Sequence, residues 1–77
     1  MEINKEFKEY FVKLNSYEAL VLFEWLVKFN EHHKLPDEAE QKILYNFESI
    51  LESVLVEPFL ENYVELINTA KNHIIND

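Results

Sequence analysis

Carboxylates are the most abundant chemically active groups in this sequence, and several recur at four-residue intervals: Glu48 with Glu52, then Glu57, Glu61 and Glu65. Four residues are about one helical turn, so each pair could bring two carboxyl groups to one side, as a general acid and base require. Like charges at that spacing cost an isolated helix roughly 0.2 to 0.5 kcal/mol per pair, and so short a chain gives no sign of a concave apolar pocket to house a reaction. The acids therefore read as a charged surface. His32 and His33 are adjacent and diverge by about 100° on a helix, so they are poorly placed to share a metal, and Glu31 adds only a weak third ligand. They read as a solvated helix end whose protonated rings would suit the helix dipole, and His73 with Lys71 reads the same way. The hydroxyls Ser16, Ser49, Ser53 and Thr69 stand in no nucleophile-elbow sequence and have no identifiable histidine partner; Ser49 and Ser53 read as helix-surface residues. With no glycine, the chain cannot form the usual Gly-rich phosphate cradle. The expectation is a protein that is not an enzyme and needs no cofactor or metal.

Charge points to binding instead. The formal net charge is −8, from 15 acidic and 7 basic residues, and every strongly basic residue is Lys. Without arginine forks and with this excess of acid, direct nucleic-acid binding is disfavoured, and a basic protein partner fits better. Between Asp37 and Glu65 eight acids face the single Lys42, a local net of −7. Two readings stay open for that segment: a solvated face, or an acidic surface whose field draws in a basic partner. Tyr45, beside Gln41, Glu48 and Glu52 on one side of a helix, is a candidate aromatic anchor. Trp25 and Phe29 could serve likewise, although the spacing favours core packing for Trp25.

These groups must be carried by a single domain of 77 residues without cysteine, which can bury only roughly 60 to 65% of its unfolded surface. Met1 to Glu9 mixes three glutamates with two lysines, so no signal peptide is visible and a cytoplasmic location is expected. Tyr17 to Phe29, YEALVLFEWLVKF, is the most apolar stretch; it reads as a central helix from Ser16 to His33, too short and too charged to cross a bilayer. Asn15 and Ser16 offer caps, and Glu18 could complete a capping box with Asn15. Leu35-Pro36-Asp37 breaks the chain, with Asp37 as the next cap. Ala39, Ile43, Leu44, Phe47, Ile50, Leu51, Val54 and Leu55 then form an amphipathic stripe, which Glu57-Pro58 ends. Phe59 and Leu60 are expected to plug the corner before a last helix from Glu61 to Ile75. At the start, Ile3, Phe7, Tyr10, Phe11 and Leu14 fit a helical face, while YFVKL, Tyr10 to Leu14, also alternates as a strand would. The expectation is an all-α domain over residues 1–77, a compact bundle of three main helices plus an N-terminal helix, with helix or strand unsettled for residues 8–14.

Four pieces of this sequence carry a family resemblance: YEALVLFEWL (Tyr17 to Leu26), DEAEQ (Asp37 to Gln41), Leu51-Glu52, and LVEPFLENYVELI (Leu55 to Ile67). Over about Ser16 to Lys71 the chain resembles small acidic helical proteins of bacterial polymorphic and contact-dependent toxin systems, which act as cognate immunity proteins. The resemblance implies a cytosolic protein that binds and blocks one delivered toxin, commonly a nuclease, an EndoU-type ribonuclease being one form. It assigns no residue roles. From charge and expected exposure, Glu48, Glu52, Glu57 and Glu61 would pair with toxin Lys or Arg, and Tyr45 would anchor the contact. Two alternatives stand beside it: a phage-type acidic nucleic-acid mimic that uses the same acidity to inhibit a host DNA-binding protein, and a structural or regulatory homodimer joined instead through Trp25, Phe29 or Val21.

Overall fold

The computed structural model describes residues 1–6 and 9–76. The chain starts not with a helix but with two antiparallel strands, β1 (Glu2–Glu6) and β2 (Glu9–Lys13), in a register that sets Ile3 opposite Val12 and Glu2 opposite Lys13. The expected N-terminal helix is therefore corrected. Tyr10, Phe11 and Val12 are residues that favour a pleated strand, and the alternation in YFVKL outweighs the helical spacing. Phe7, which belonged to the expected helical face, lies outside the described residues. Two strands are marginal alone, and this pair is tied to the body by the Met1 amino group, 2.8 Å from Glu18 Oε2, and by Leu14, which packs against the core. Ile3, Tyr10, Phe11 and Val12 stay exposed.

Helix α1 (Ser16–His32) begins on a complete capping box: Asn15 Oδ1 accepts from the Glu18 amide at 2.8 Å, and Glu18 Oε1 accepts from the Asn15 amide at 3.0 Å. Ala19, Leu20, Phe23 and Leu26 recur at steps of one, three and three, which keeps them in one sector, and all four are buried. The helix stops where the sequence approaches Pro36, and the His33 amide closes it on the Phe29 carbonyl at 2.9 Å. Helix α2 (Glu38–Val54) is capped by Asp37, whose Oδ1 accepts from the amides of Ala39 and Glu40 at 2.8 and 3.1 Å. A 3-10 turn, Glu57–Phe59, built around Pro58, leads into α3 (Tyr63–Ile75).

Helix α1 packs against both α2 and α3, and the 3-10 turn leans on α3. The core lies along α1: Ala19, Leu20, Phe23 and Leu26 meet Leu51 and Leu55 from the α2 end and Ile67 and Ala70 from α3. A polar contact accompanies each interface. Asn30 Nδ2 donates to Glu48 Oε1 at 2.8 Å across α1 and α2, and the Tyr63 hydroxyl donates to Glu24 Oε2 at 2.6 Å across α1 and α3. Burial, and then the Glu24 carboxylate as acceptor, push the Tyr63 hydroxyl pKa well above its ordinary value. Glu18 moves the other way, held below its ordinary value by the amino terminus that donates to it and by the Asn15 amide.

Two expectations about packing are overturned. Phe59 and Leu60 do not plug the corner; they are 73% and 48% exposed, because the 3-10 turn ends in an extended Leu60 rather than folding back over the core. The apolar stripe of α2 is only partly internal: Leu44, Leu51 and Leu55 face α1, while Ile43, Phe47, Ile50 and Val54 are exposed. The molecule is correspondingly open. Its radius of gyration is 13.8 Å, against roughly 11.5 Å for a compact chain of this length. Its accessible surface is 6404 Å². A compact monomer of this mass has about 5,000 Å².

Candidate partner-binding surface

The residues that sequence reasoning placed at a binding face sort by element. Glu38, Tyr45 and Glu52 stand seven residues apart along α2, so they drift by only about 20° per step and form one exposed line down the helix. The Tyr45 hydroxyl is held by Gln41, whose Nε2 donates to it at 3.1 Å one turn earlier. Tyr45 also lines an open concavity of about 650 Å³ beside the α1–α2 loop, with Lys34, Leu35, Pro36, Gln41 and Lys42 among its walls. Its surroundings thus hold two lysines as well as acids.

Glu48 lies toward α1, half-buried, with Oε1 engaged by Asn30. Its first task is to join two helices, and less of its carboxylate is free for a partner. Glu57 starts the 3-10 turn, half-buried, and its Oε2 is buried with no hydrogen-bond partner. Glu61 is exposed in the turn before α3. The five candidates therefore divide into Tyr45 and Glu52 on a common outer line, Glu48 at a helix contact, and Glu57 and Glu61 on the connection beyond it. Glu38 was missed as a member of that line, although its spacing of seven from Tyr45 was readable.

The aromatic residues of α1 are arranged in a way the sequence reading did not anticipate. Trp25 is 53% exposed, which corrects its expected place in the core. It points about 100° or more away from the sector of Phe23 and Leu26. Its ring stacks on Phe29 at 4.9 Å, and Phe29 stacks on His33 at 4.6 Å, so a ladder with four-residue steps runs along α1. Trp25 also borders an apolar hollow of about 320 Å³ with Met1, Val21, Leu22 and Ile74. His73 is likewise more than a solvated helix end, because its ring stacks on Tyr17 at 4.3 Å and 7°. His32 approaches Glu31 at 4.0 Å, and both are exposed. Among the described residues, no group of three or more His, Cys, Asp or Glu side chains is positioned to hold a metal ion, and no helix is long and apolar enough to cross a membrane.

No protein-family model, curated protein or solved structure matches this chain.

Proposed function

We propose that this chain is a non-enzymatic binding protein whose partner is a basic protein, and that the partner meets the outer line of α2 and the acidic connection that follows it. The observation that carries this reading is the joint placement of Glu38, Tyr45 and Glu52 on one exposed line within a segment whose net charge is −7. An acidic line with an aromatic anchor suits a basic groove: the charges speed encounter and reject acidic competitors, and the ring supplies contact area at little entropic cost. Glu52 and Glu61 project freely and would form the ion pairs, while Glu48 would hold α2 at its angle to α1. The resemblance to toxin-immunity proteins gives this reading its specific form, a bacterial cytoplasmic protein that occupies the nucleic-acid groove of a delivered nuclease.

The test is to co-produce the chain with the C-terminal domain encoded by the adjoining reading frame, then assay nuclease activity of the purified mixture. The expected result is a stoichiometric complex with suppressed activity, weakened by Glu52→Lys and by raised salt. A mixture that stays fully active, with no complex on a sizing column at low salt, would remove the toxin from the reading. Capture of a host nucleoid protein under the same conditions would transfer it to the nucleic-acid-mimic alternative.

A further inference from the structure

The apolar residues that α2 turns away from α1 are Ile43, Phe47, Ile50 and Val54, exposed at 65, 36, 64 and 71%. Their spacing is four, three, four, the repeat of a helix-on-helix seam in which side chains of one helix enter the gaps of another. We propose that this seam is occupied by a second copy of the same chain, α2 against α2 across a two-fold axis.

Three features favour a copy of this chain over a different partner. The seam is self-complementary: in an antiparallel pair, Ile43 of each copy meets Val54 of the other, and Phe47 meets Ile50, over about 16 Å of helix. Its border on the side away from the core is formed by Asn46 and Ser53, short and uncharged, and Ser53 is already satisfied by donating to the Ile50 carbonyl at 2.6 Å. Two chains that each carry a net charge of −8 repel least along such a weakly charged strip, whereas a basic partner gains little charge complementarity there. Exposed surface is also in surplus: the chain exposes about 1,400 Å² more than a compact monomer of its mass, and the seam is one part of that excess.

The geometry has a consequence for binding. The seam and the Glu38–Tyr45–Glu52 line lie about half a turn apart on α2. A dimer through the seam would therefore carry its two acidic lines on its outer flanks, leaving both open to a basic partner.

Sedimentation equilibrium of the full chain from about 1 μM to about 1 mM tests the proposal. The expected result is reversible association to twice the 9.3 kDa chain mass, little weakened by salt. Ile50→Lys is expected to weaken association about thirtyfold or more, as loss of a hot-spot residue does, although it lowers the net negative charge. Val54→Lys should act in the same direction, and circular dichroism should report unchanged helix content for both. Trp25→Ala, on a different helix and a different face, should leave association intact. The proposal is overturned if the wild-type chain remains monomeric throughout, or if Trp25→Ala abolishes association while the folded Ile50→Lys and Val54→Lys chains retain it. Neither result would bear on the basic partner, which is read on a separate face and in a separate assay.

Discussion

Helices α1 and α2 have the same length, seventeen residues, and both are rich in apolar side chains, yet they use them differently. In α1 the apolar residues lie all round the helix, and those turned toward its two neighbours, Ala19, Leu20, Phe23 and Leu26, disappear from solvent. In α2 the pattern is more sharply amphipathic, yet Leu51 is its sole buried residue. The difference comes from position. A helix flanked by two others is covered on much of its circumference, whereas a helix with one neighbour buries one sector and leaves the rest for solvent or for another molecule. A well-patterned stripe is therefore no guarantee of a core face, and the second long helix is the one to which both proposed contact surfaces are assigned.

The contrast can be broken most sharply at Leu26 and Ile50. Leu26 is 1% exposed, so Leu26→Ala should cost about 2 to 5 kcal/mol, the price of a core cavity, read as a lowered urea midpoint. Ile50→Ala, measured where the chain is dilute and monomeric, should stay within about 0.5 kcal/mol of wild type. Equal losses at the two positions would mean that α2 is covered as α1 is.

Tyr63→Phe sharpens the same comparison from the α3 side. Losing the donor to Glu24 should lower stability by about 1 kcal/mol at neutral pH. Because the Tyr63 pKa is raised on folding, its contribution is fully present below its ordinary value of 10.0 and is lost as pH climbs from there through the folded value. Wild-type stability should therefore fall above about pH 10, and Tyr63→Phe should flatten that part of the profile. Asn15→Ala should cost about 1 kcal/mol through the lost cap of α1, with thermal melting as the readout. The smallest effect belongs to Glu18, whose lowered pKa means that its contribution is present above its ordinary value of 4.5 and is lost as pH falls through the folded value. Acetylating the amino terminus should shrink that acid-side loss.

Much of the helical part was legible because local chemistry dictates it. Asn15 with Glu18, Asp37 before Ala39, and the prolines at 36 and 58 act through neighbouring backbone groups, so the starts and stops of α1 and α2 follow from a few residues each. The first fourteen residues were not settled this way, since Ile3, Tyr10, Phe11 and Leu14 satisfy a helical period and part of the same run a strand period. Only pairing with a second strand decides between them. Which part of the α2 stripe faces inward was also hidden, because that depends on where α1 and α3 stand. The acidic surface was legible as charge but not as geometry. The composition of Asp37 to Glu65 marked it, while the diversion of Glu48 to Asn30 and the alignment of Glu38 with Tyr45 and Glu52 emerge only when α2 is seen on α1. The ladder from Trp25 through Phe29 to His33 was readable as four-residue spacing, yet it belongs to an outer face rather than to the core.

The proposed assignment of scaffold to α1 and partner contact to α2 is tested most directly by calorimetry against the basic partner that co-production identifies, comparing Glu52→Lys with Trp25→Ala. The expected result is an affinity loss of about tenfold or more for Glu52→Lys, near wild-type affinity for Trp25→Ala, and folded protein in both. Unchanged affinity for Glu52→Lys together with a large loss for Trp25→Ala would contradict it and would place the partner on α1.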